Sequence, residues 1–593
     1  MREMDWDWKN EKAQLRKKEV EQAVLIPTIN FFDDPEQFGL QDRPEQTMLS
    51  VDIGEAISMN HHVMVEAGVG IGKSFAYLIP ALFAVKNLNK TVVIATATQR
   101  LAEQLASDVE QAKILTNIRS VQVTLLAEER VHAAHDARII ITSQEILMRD
   151  LLKKRGQGHG FITDNAMLYI IDEAHQLEEQ ARCALTTKWT LQKIKEVEVI
   201  LQKSIPKNPS RKEHVENLRK VGDYRRQFFT GAADHIRHLQ TVKGKHGDSR
   251  RLWLPSETIV NYTDWAKQLD RVIATVSLGK EEQGILELPQ FIRRLRQYAN
   301  SSCLVWLEGT LDDQDEISIC TAPKVMDHEI EKTLFGQSIP VVLIAETLCT
   351  REGTAIEMYR YYAECIGFPE DDRDFFDVQP SPFDYDENSI LYIPNDLPLP
   401  DGESSRDVYL EAISQRIAEL VMLSQGKTLV LFTVKADMED VYALLKGKGL
   451  AYGLLRGEGA LQQDIIEEFK NSKGILLATG EYWEGISLSS LDLVSLIIVQ
   501  LPFPAFDPVL DYKISQAVDA KEILFPEMIT KLRQGASRLI QRESDTGVLS
   551  ILDSRMSDHL KRPYQEDVLQ ALPMKNRVSH LHEVENFINN KIK

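Results

Sequence analysis

Short runs of valine, isoleucine and leucine recur along the chain, and several of them end where glycine or polar residues begin. Four lie in the first third: HHVMVEAG, KTVVIATAT, ARIIITS and AMLYIIDEAH. Five more follow a long gap: IPVVLIAETL, GKTLVLFTV, KGILLATG, LVSLIIVQLPF and GVLSILDS. Continuous apolar runs separated by helical stretches are typical of buried parallel strands in α/β layers. The two groups therefore predict two α/β domains that bind ligands at the carboxyl ends of their strands.

The gap from about Thr186 to Asp312 has a different pattern, because it is rich in helix-forming residues and poor in strand runs. It is also locally basic, since Lys188–Arg251 holds 16 Lys/Arg and 7 Asp/Glu, a balance of +9. Such charges are typical either of a solvated helical face or of an insertion that faces nucleic acid, and the sequence leaves both open. In the second case, Arg225 and Arg226 are expected to contact phosphates.

The whole chain has the opposite charge, with 69 Lys/Arg and 89 Asp/Glu giving a net charge of −20. This argues against indiscriminate binding to polyanions, although a local basic groove is compatible with it. The five cysteines form no C-x-x-C pair, so we expect reduced thiols and neither a disulfide framework nor a zinc site. No apolar run approaches the ~20 residues that span a bilayer, and the charged start has no signal-peptide core. A cytoplasmic protein is therefore expected.

The segment EAGVGIGKS, which follows the first apolar run, has the pattern of a phosphate-binding loop with alanine in place of the usual first glycine. Gly68, Gly70 and Gly72 allow backbone N–H groups to approach phosphate oxygens. Lys73 is expected to reach the β- and γ-phosphates, and Ser74 to bind Mg²⁺ at the start of the next helix. The segment therefore predicts a site for a magnesium-bound nucleotide.

The segment YIIDEAH places an acidic pair directly after a buried strand, as a magnesium-dependent hydrolase requires. Asp172 is expected to hold the metal, usually through water, and Glu173 to orient and deprotonate the attacking water. Taken alone, the letters DEAH could mark an acidic helix N-terminus. The phosphate-binding loop that precedes them in the chain favours hydrolysis.

Several further segments occur in a fixed order around these two: LQDRPEQTM, TATQRLAEQL, LFT, EYWEGISL and QGASRLIQR. Together with DEAH, they resemble the ordered motifs of superfamily-two helicases. The match is closest to the XPD/DinG branch, and within it to bacterial DinG/YpvA-like proteins. SPFDY and VQLPFPAFDP also resemble segments of DinG-type proteins. The resemblance covers about Leu40 to Met556, with the basic insertion matched in position only.

The resemblance implies an α/β fold with two RecA-like parallel-sheet domains and a largely helical, arch-like insertion in the first. We expect an N-terminal extension over 1–36 and the first RecA-like domain over 37–185, with a return to it over 312–355. The insertion is expected over 186–311 and the second RecA-like domain over 356–593.

In the first domain, the resemblance implies that Arg43 and Gln46 contact the base region of the nucleotide. Thr96, Thr98 and Gln99 fall in the segment that touches the nucleic-acid backbone in the family. Both assignments are carried over by motif position.

In the second domain, the resemblance places Gly485 in the coupling motif and implies that Gln534 and Arg538 face the nucleotide. Arg538 is the candidate for stabilising charge on the transferring phosphate. The stretch QGASRLIQR is helical in relatives. Arg542 would then point about 100° away from Gln541 and could not simply replace the family's second arginine. The alternative is a local register shift that lets Arg542 reach the nucleotide.

Some positions depart from the family pattern in segments that couple hydrolysis to movement. They are Ala345-Glu346-Thr347 in place of S-A-T, Thr142-Ser143-Gln144 in place of T-N-H, Ser487 in place of aspartate, Ser537 in place of glycine and Gln541 in place of arginine. These changes leave the expected ATP-binding residues intact and bear on the coupling.

The leading hypothesis is an ATP-dependent DNA helicase or translocase that uses ATP and Mg²⁺ and moves 5′ to 3′ on single-stranded DNA, in DNA repair or replication. Its expected catalytic residues are Lys73, Glu173, Gln534 and Arg538. No cysteine lies between Lys73 and Asp172, where many relatives bind an iron–sulfur cluster, so no cluster is expected. About forty residues precede the first motif, too few for the exonuclease domain of some relatives. We expect a monomer without membrane contact; an RNA helicase and a nucleotide-switched binding protein with weak ATPase are the alternatives.

Overall fold

The structure is a computed structural model. It describes residues 14–591 apart from 128–136, 157, 242–250, 255–260, 277–282, 297–301, 310–316, 370–372, 400–402, 458–461 and 484–492. Within these residues, no helix is long and apolar enough to cross a membrane.

The strands and helices of the described residues are numbered here in chain order. The strands are β1 His62–Glu66, β2 Thr91–Thr96, β3 Val123–Leu125, β4 Ile139–Ser143, β5 Ala166–Asp172, β6 Thr187–Thr190, β7 Leu252–Trp253, β8 Cys303–Glu308, β9 Ser318–Pro323, β10 Val341–Ala345, β11 Arg373–Phe375, β12 Ser389–Tyr392, β13 Thr428–Leu431, β14 Leu454–Arg456, β15 Ile475–Ala478, β16 Ser495–Ile498, β17 Gly547–Ile551 and β18 Arg577–Val578. The α-helices are α1 Ile26–Phe32, α2 Pro44–Met59, α3 Lys73–Leu88, α4 Gln99–Leu115, α5 Gln144–Arg155, α6 Leu177–Leu185, α7 Leu191–Ser204, α8 Arg211–Thr241, α9 Tyr262–Ile273, α10 Gln283–Arg296, α11 Asp327–Ile330, α12 Ala355–Ile366, α13 Tyr385–Asn388, α14 Glu403–Ser424, α15 Lys435–Lys448, α16 Gln462–Ser472, α17 Pro508–Gln516, α18 Lys521–Ala536, α19 Gln565–Ala571 and α20 Leu581–Lys591.

The first sheet is entirely parallel, with the strand order β11-β1-β10-β5-β2-β4-β3. One row of side chains across its middle consists of Val63, Val342, Ile170, Ile94 and Ile141, and all five are fully buried. Strands that are covered on both faces need apolar side chains at every position, which explains the continuous Val/Ile runs. The phosphate-binding loop and the DEAH segment follow β1 and β5, at the carboxyl edge of this sheet.

The second sheet is also parallel, with the strand order β14-β15-β13-β16-β17-β12-β18. Its middle row consists of Leu476, Leu429, Leu496, Leu549 and Leu391, all of them buried. The prediction of two α/β domains with parallel sheets is therefore confirmed.

Residues 185–325 and 504–523 form a separate compact unit. It is helical for most of its described length and also contains an antiparallel sheet with the strand order β6-β9-β8-β7. Trp189, Phe228 and Trp265 lie in its core. The second of the two chain segments closes a smaller apolar cluster, in which Val509 of α17 packs with Trp306 of β8.

The structure differs from the expected boundaries of the insertion and of the second domain. The expected return over 312–355 is wrong for β9, which pairs antiparallel with β8 in the insertion, so the first sheet resumes only at β10. Residues 504–523 belong to the insertion's compact unit although they lie inside the expected second domain. The start of that domain at 356 is also too early, because β11 pairs with β1. β9 lacks a Val/Ile run and β11 has only three residues, which is why the pattern missed them.

Candidate nucleotide site

The phosphate-binding loop joins β1, which is buried throughout, to the first turn of α3. Gly70 and Gly72 have φ angles of +89° and +85°, which glycine adopts without steric cost. A Cβ atom on Gly72 would collide with Gln46, and one on Gly70 with the ring of Phe383. The loop therefore needs glycine for both its conformation and its packing, and its amides lead into a helix N-terminus that favours anions.

The segment before the loop contacts the loop itself. Gln46 Nε2 donates to the carbonyl oxygen of Gly72 at 2.9 Å, and Arg43 Nη1 donates to that of Gly70. Arg43 Nη2 also donates to Gln41 Oε1 at 2.6 Å. The two side chains expected near the nucleotide base are thus placed where they fix the backbone that would surround the phosphates.

The connection between the two sheets also runs along this loop. Gly68 N donates to Gln379 O at 2.9 Å, and Gln379 N donates to Glu66 O at 3.0 Å. Four residues later, Phe383 belongs to the apolar core of the second sheet, against which Val69 of the loop also packs. The loop is therefore held from both domains.

Lys73 lies between the two carboxylates of the DEAH segment. Its Nζ atom is 2.7 Å from Glu173 Oε1 and 3.6 Å from Asp172 Oδ1. Burial disfavours the charged ammonium, but Glu173, Asp172 and Glu346 together raise the pKa of Lys73 above its usual value. Lys73 is therefore a permanent cation at the place where phosphate charge is expected.

Asp172 fits a role as a magnesium ligand. Burial raises the pKa of its carboxyl to about 6, the charge of Glu173 adds to this effect, and Lys73 opposes it. Among the described residues, no hydrogen-bond partner reaches the buried Asp172 Oδ1 atom. A bound Mg²⁺ would give this oxygen a direct partner. Ser74, the second expected ligand, lies in the first turn of α3.

Glu173 is surrounded by groups that stabilise its ionised form. Burial acts against its charge, but Lys73, His175 and Arg538 together lower the pKa of the Glu173 carboxyl. The side chain is therefore ionised while Lys73 is paired with it.

The backbone of Glu173 is held in an uncommon conformation. Its φ angle is +54°, in the left-handed region that costs a residue with a side chain about 1–3 kcal/mol. The fully buried Gln144 donates from Nε2 to the carbonyl oxygens of Asp172 at 2.7 Å and of Glu173 at 3.1 Å. Gln144 therefore fixes the peptide on each side of this strained position.

The end of α18 brings side chains of the second domain to the same place. Gln534 Nε2 lies 2.7 Å from His175 Nε2 of the DEAH segment. Arg538 is close enough to Glu173 to lower its pKa. The structure thus brings together Lys73, Glu173, Gln534 and Arg538, as the motifs implied.

The expectation that QGASRLIQR is helical throughout is wrong. Helix α18 ends at Ala536, and the backbone amides of Gln541 and Arg542 both donate to the buried Asp545 carboxylate at 3.0 Å. The 100° argument for Arg542 therefore does not apply. The side chain of Arg542 is exposed.

The residues carried over as nucleic-acid contacts are not equally accessible. Thr96 is fully buried at the end of β2, so its side chain is not available to a strand as the motif implied. Thr98 is exposed and caps α4, because its Oγ1 accepts from Leu101 N at 3.2 Å, and Gln99 next to it is half-buried. Gly485, the coupling-motif residue, lies outside the described residues.

Within the insertion, Arg225 and Arg226 are not equivalent. Arg225 Nε donates to Glu198 Oε1 at 2.9 Å, and both side chains are largely buried between α7 and α8. Arg226 pairs with Asp223 on the same helix and is 63% exposed. The expectation that both face phosphates is therefore wrong for Arg225, because a count of charges does not show which are neutralised inside the fold.

Sequence reasoning missed several residues that shape the site. The motifs include Gln144 only as a departure from the family pattern, and they assign no role to Arg533, Glu66 or Phe383. Gln144 could have been found from its place directly after β4, whose carboxyl end lies two strands from β5.

Comparison with known proteins agrees with this geometry. The chain matches a family model described as DEAD/DEAH box helicase over residues 51–204 and one described as helicase C-terminal domain over residues 417–575. It is 24% identical to ATP-dependent DNA helicase YoaA of Haemophilus influenzae, over 93% of this chain and 97% of that protein. It is 23% identical to ATP-dependent DNA helicase DinG of Photobacterium profundum, over 90% and 96%. It is also 23% identical to the probable ATP-dependent helicase YpvA of Bacillus subtilis, over 90% and 94%.

Two solved structures share the fold. The structure of S. tokodaii Xpd4 aligns with a TM-score of 0.57 and 16% identity, covering 91% of this chain and 100% of that one. A second chain, named XPD helicase, aligns with a TM-score of 0.56 and 15% identity, covering the same shares.

Proposed function

We propose that this chain, a superfamily-two helicase of the XPD/DinG branch, couples Mg-ATP hydrolysis to 5′-to-3′ movement on single-stranded DNA, in DNA repair or replication. The observation that carries the proposal is the position of Lys73 between Asp172 and Glu173, with Gln534 and Arg538 of the second domain facing the same place.

The chemistry of the first domain follows from its residues. The loop amides and Lys73 would hold the β- and γ-phosphates, and Ser74 and Asp172 would hold Mg²⁺, which neutralises phosphate charge when bound. Glu173, kept ionised by the cations around it, would accept a proton from the attacking water. Lys73 would exchange its contact with Glu173 for the phosphates.

The second domain contributes to the transition state. Arg538 would stabilise charge that develops on the transferring phosphate, as arginines do in other phosphoryl-transfer enzymes. Gln534 contacts His175, so a movement of the DEAH segment would be transmitted through this contact to α18. Opening and closing of the two sheets around ATP would then move the DNA strand, with the exposed Thr98 and the half-buried Gln99 beside it.

DNA as the substrate is inferred from similarity to the relatives, whereas the polarity is inferred from the motif resemblance alone. The relatives YoaA and DinG are named ATP-dependent DNA helicases. The protein is expected to act as a monomer, with ATP and Mg²⁺ and without an iron–sulfur cluster.

The test is steady-state ATP hydrolysis with no nucleic acid, with single-stranded DNA and with single-stranded RNA. We expect stimulation by DNA, loss of turnover in Lys73→Ala, and nucleotide binding without turnover in Glu173→Gln. Stimulation by RNA alone would favour an RNA helicase. Wild-type turnover equal to that of Lys73→Ala, with nucleotide-dependent DNA affinity, would favour a nucleotide switch.

Polarity needs a separate assay. Displacement of a fluorescent strand from duplexes with a 5′ or a 3′ single-stranded tail should occur only with the 5′ tail. Displacement from the 3′ tail alone would contradict the proposed direction.

A further inference from the structure

An ion pair between a partly exposed arginine and a buried carboxylate joins the second domain to the strand that leads into the phosphate-binding loop. Arg533 Nη2 is 2.6 Å from Glu66 Oε1, and Arg533 Nη1 is 3.1 Å from Glu66 Oε2. The Glu66 side chain is only 2% exposed. Although burial disfavours the charged guanidinium, Glu66 raises the pKa of Arg533. This is a bidentate pair, a geometry that specifies position as well as attraction.

Glu66 is also the centre of a local network in the first domain. Its Oε2 atom accepts from the amides of Leu348 and Cys349, both at 2.7 Å, just after the segment that replaces S-A-T. Arg533 Nη1 donates to Cys349 O at 2.8 Å as well. One guanidinium therefore contacts both the end of β1 and the turn after β10.

Arg533 is adjacent to Gln534, which lies against His175. Adjacent residues on a helix point about 100° apart, so the end of α18 reaches two separate parts of the first domain. With Arg533 it contacts the strand before the loop, and with Gln534 the DEAH segment. The two contacts together define how α18, and Arg538 beyond its end, meets the nucleotide site.

We propose that Arg533 is a positioning residue for ATP hydrolysis, which acts through Glu66 to align α18 with the phosphate-binding loop. The inference rests on the proposed function. It goes beyond that function because no motif of the sequence assigned a role to either residue, and because the pair connects the domains beside segments whose coupling residues are altered.

The proposal predicts a loss of turnover without a loss of binding. Arg533→Gln should lower kcat for DNA-stimulated ATP hydrolysis by about tenfold or more, because the contribution of α18 to the transition state depends on its alignment. The dissociation constant of a fluorescent ATP analogue should change by less than about threefold, because the loop, Lys73 and Ser74 are untouched. Arg533→Lys keeps the positive charge but cannot form the bidentate contact of a guanidinium, so it should recover only part of kcat.

A double-mutant cycle distinguishes the effect of the Arg533–Glu66 interaction from the separate effects of the two residues. Glu66→Gln should lower kcat about as much as Arg533→Gln, and the double variant should lose little more than either, since the residues act as one unit. Independent effects that multiply in the double variant would overturn the proposal.

Arg406→Gln is the matched control. Arg406 forms a half-buried pair with Asp437, with Nε 3.0 Å from Oδ1, and this pair joins α14 to α15. The Arg406→Gln variant should lower the melting temperature as Arg533→Gln does, but its kcat should stay within about twofold of the wild-type value. If Arg533→Gln also keeps kcat within twofold at a similar loss of stability, the pair is only structural and the proposal is wrong.

Failure of the proposed function can be told apart from failure of this inference. If the wild-type protein hydrolyses ATP no faster than Lys73→Ala, the proposed function is wrong. The positioning role is then decided by hydrogen exchange at residues 533–538 with and without Mg-ATPγS. Protection on nucleotide binding that is lost in Arg533→Gln supports the role, and equal protection in both proteins overturns it.

Discussion

Gln144 offers the sharpest test of how the fold prepares Glu173 for catalysis. Replacing it with leucine keeps most of the volume and removes both donors to the Asp172 and Glu173 carbonyl oxygens. Each hydrogen bond contributes a net ~0.5–1.5 kcal/mol, so the two together hold the strained Glu173 backbone with about 2 kcal/mol. If that free energy is lost from the transition state, kcat falls about 30-fold, since ~1.4 kcal/mol corresponds to a factor of ten.

The assay is ATP hydrolysis at saturating single-stranded DNA, with the affinity for a fluorescent ATP analogue measured in parallel. We expect kcat to fall and affinity to stay within about threefold, because Gln144 makes no contact with the phosphate-binding loop among the hydrogen bonds of the described residues.

Gln565→Leu is the control, because Gln565 Nε2 also donates to two carbonyl oxygens, of Arg555 at 2.8 Å and of Ser557 at 3.0 Å. It should lower stability and leave kcat nearly unchanged. A folded Gln144→Leu protein with kcat within about threefold of wild type would refute the reasoning, because the Glu173 conformation would then not depend on the carboxamide.

Three further outcomes are expected. Asp52→Asn should raise the melting temperature at pH 8 and change it little at pH 4, because burial raises the pKa of Asp52 to about 6 and its ionised form costs folding free energy above that pH. We expect a gain in the free energy of unfolding of about 1 kcal/mol at pH 8, since the group is only half-buried, and an equal change at both pH values would contradict this. Arg225→Gln should lower the free energy of unfolding by about 3 kcal/mol in denaturant melts by leaving a buried carboxylate unpaired, whereas Arg226→Glu should leave stability within ~0.5 kcal/mol and weaken DNA binding only if this face contacts phosphates. Arg538→Ala should lower ATP turnover by about 10³ while Arg542→Ala stays within a few-fold, and equal losses would show that Arg542 serves the nucleotide.

The parts of the fold and site that could be predicted from sequence are those set by local chemistry. The parallel strands were readable because burial on both faces demands continuous apolar runs, as in β1 and β4. The positions of Lys73 and Glu173 in one site could be predicted because a phosphate-binding loop and an acidic pair each need fixed residue types at fixed spacing.

The rest depends on partners far apart in the chain. Nothing near Arg533 indicates that Glu66 is its partner, and nothing near Gln144 indicates that its amide meets the carbonyl groups after β5. Arg225 was misassigned for the same reason, since the carboxylate of Glu198 lies on the preceding helix. Short strands such as β11 were not predicted, because the hydrophobic pattern of three residues cannot be distinguished from that of a loop.

The apolar cluster around Trp306 has a consequence for how the protein is made. Trp306 and Cys320 belong to the insertion, but Val509, which covers them, comes from inside the second domain. At ~5–20 residues per second, the roughly 185 residues between Pro323 and Pro508 take on the order of ten to forty seconds to leave the ribosome. During that interval the nascent insertion presents an uncovered tryptophan-containing face, and exposed apolar surface of this kind promotes aggregation. Expression at reduced temperature, or with a chaperone that covers apolar surface, should therefore raise the soluble yield of the whole chain. The same measures should help far less when a peptide of residues 504–523 is present while the insertion is being synthesised.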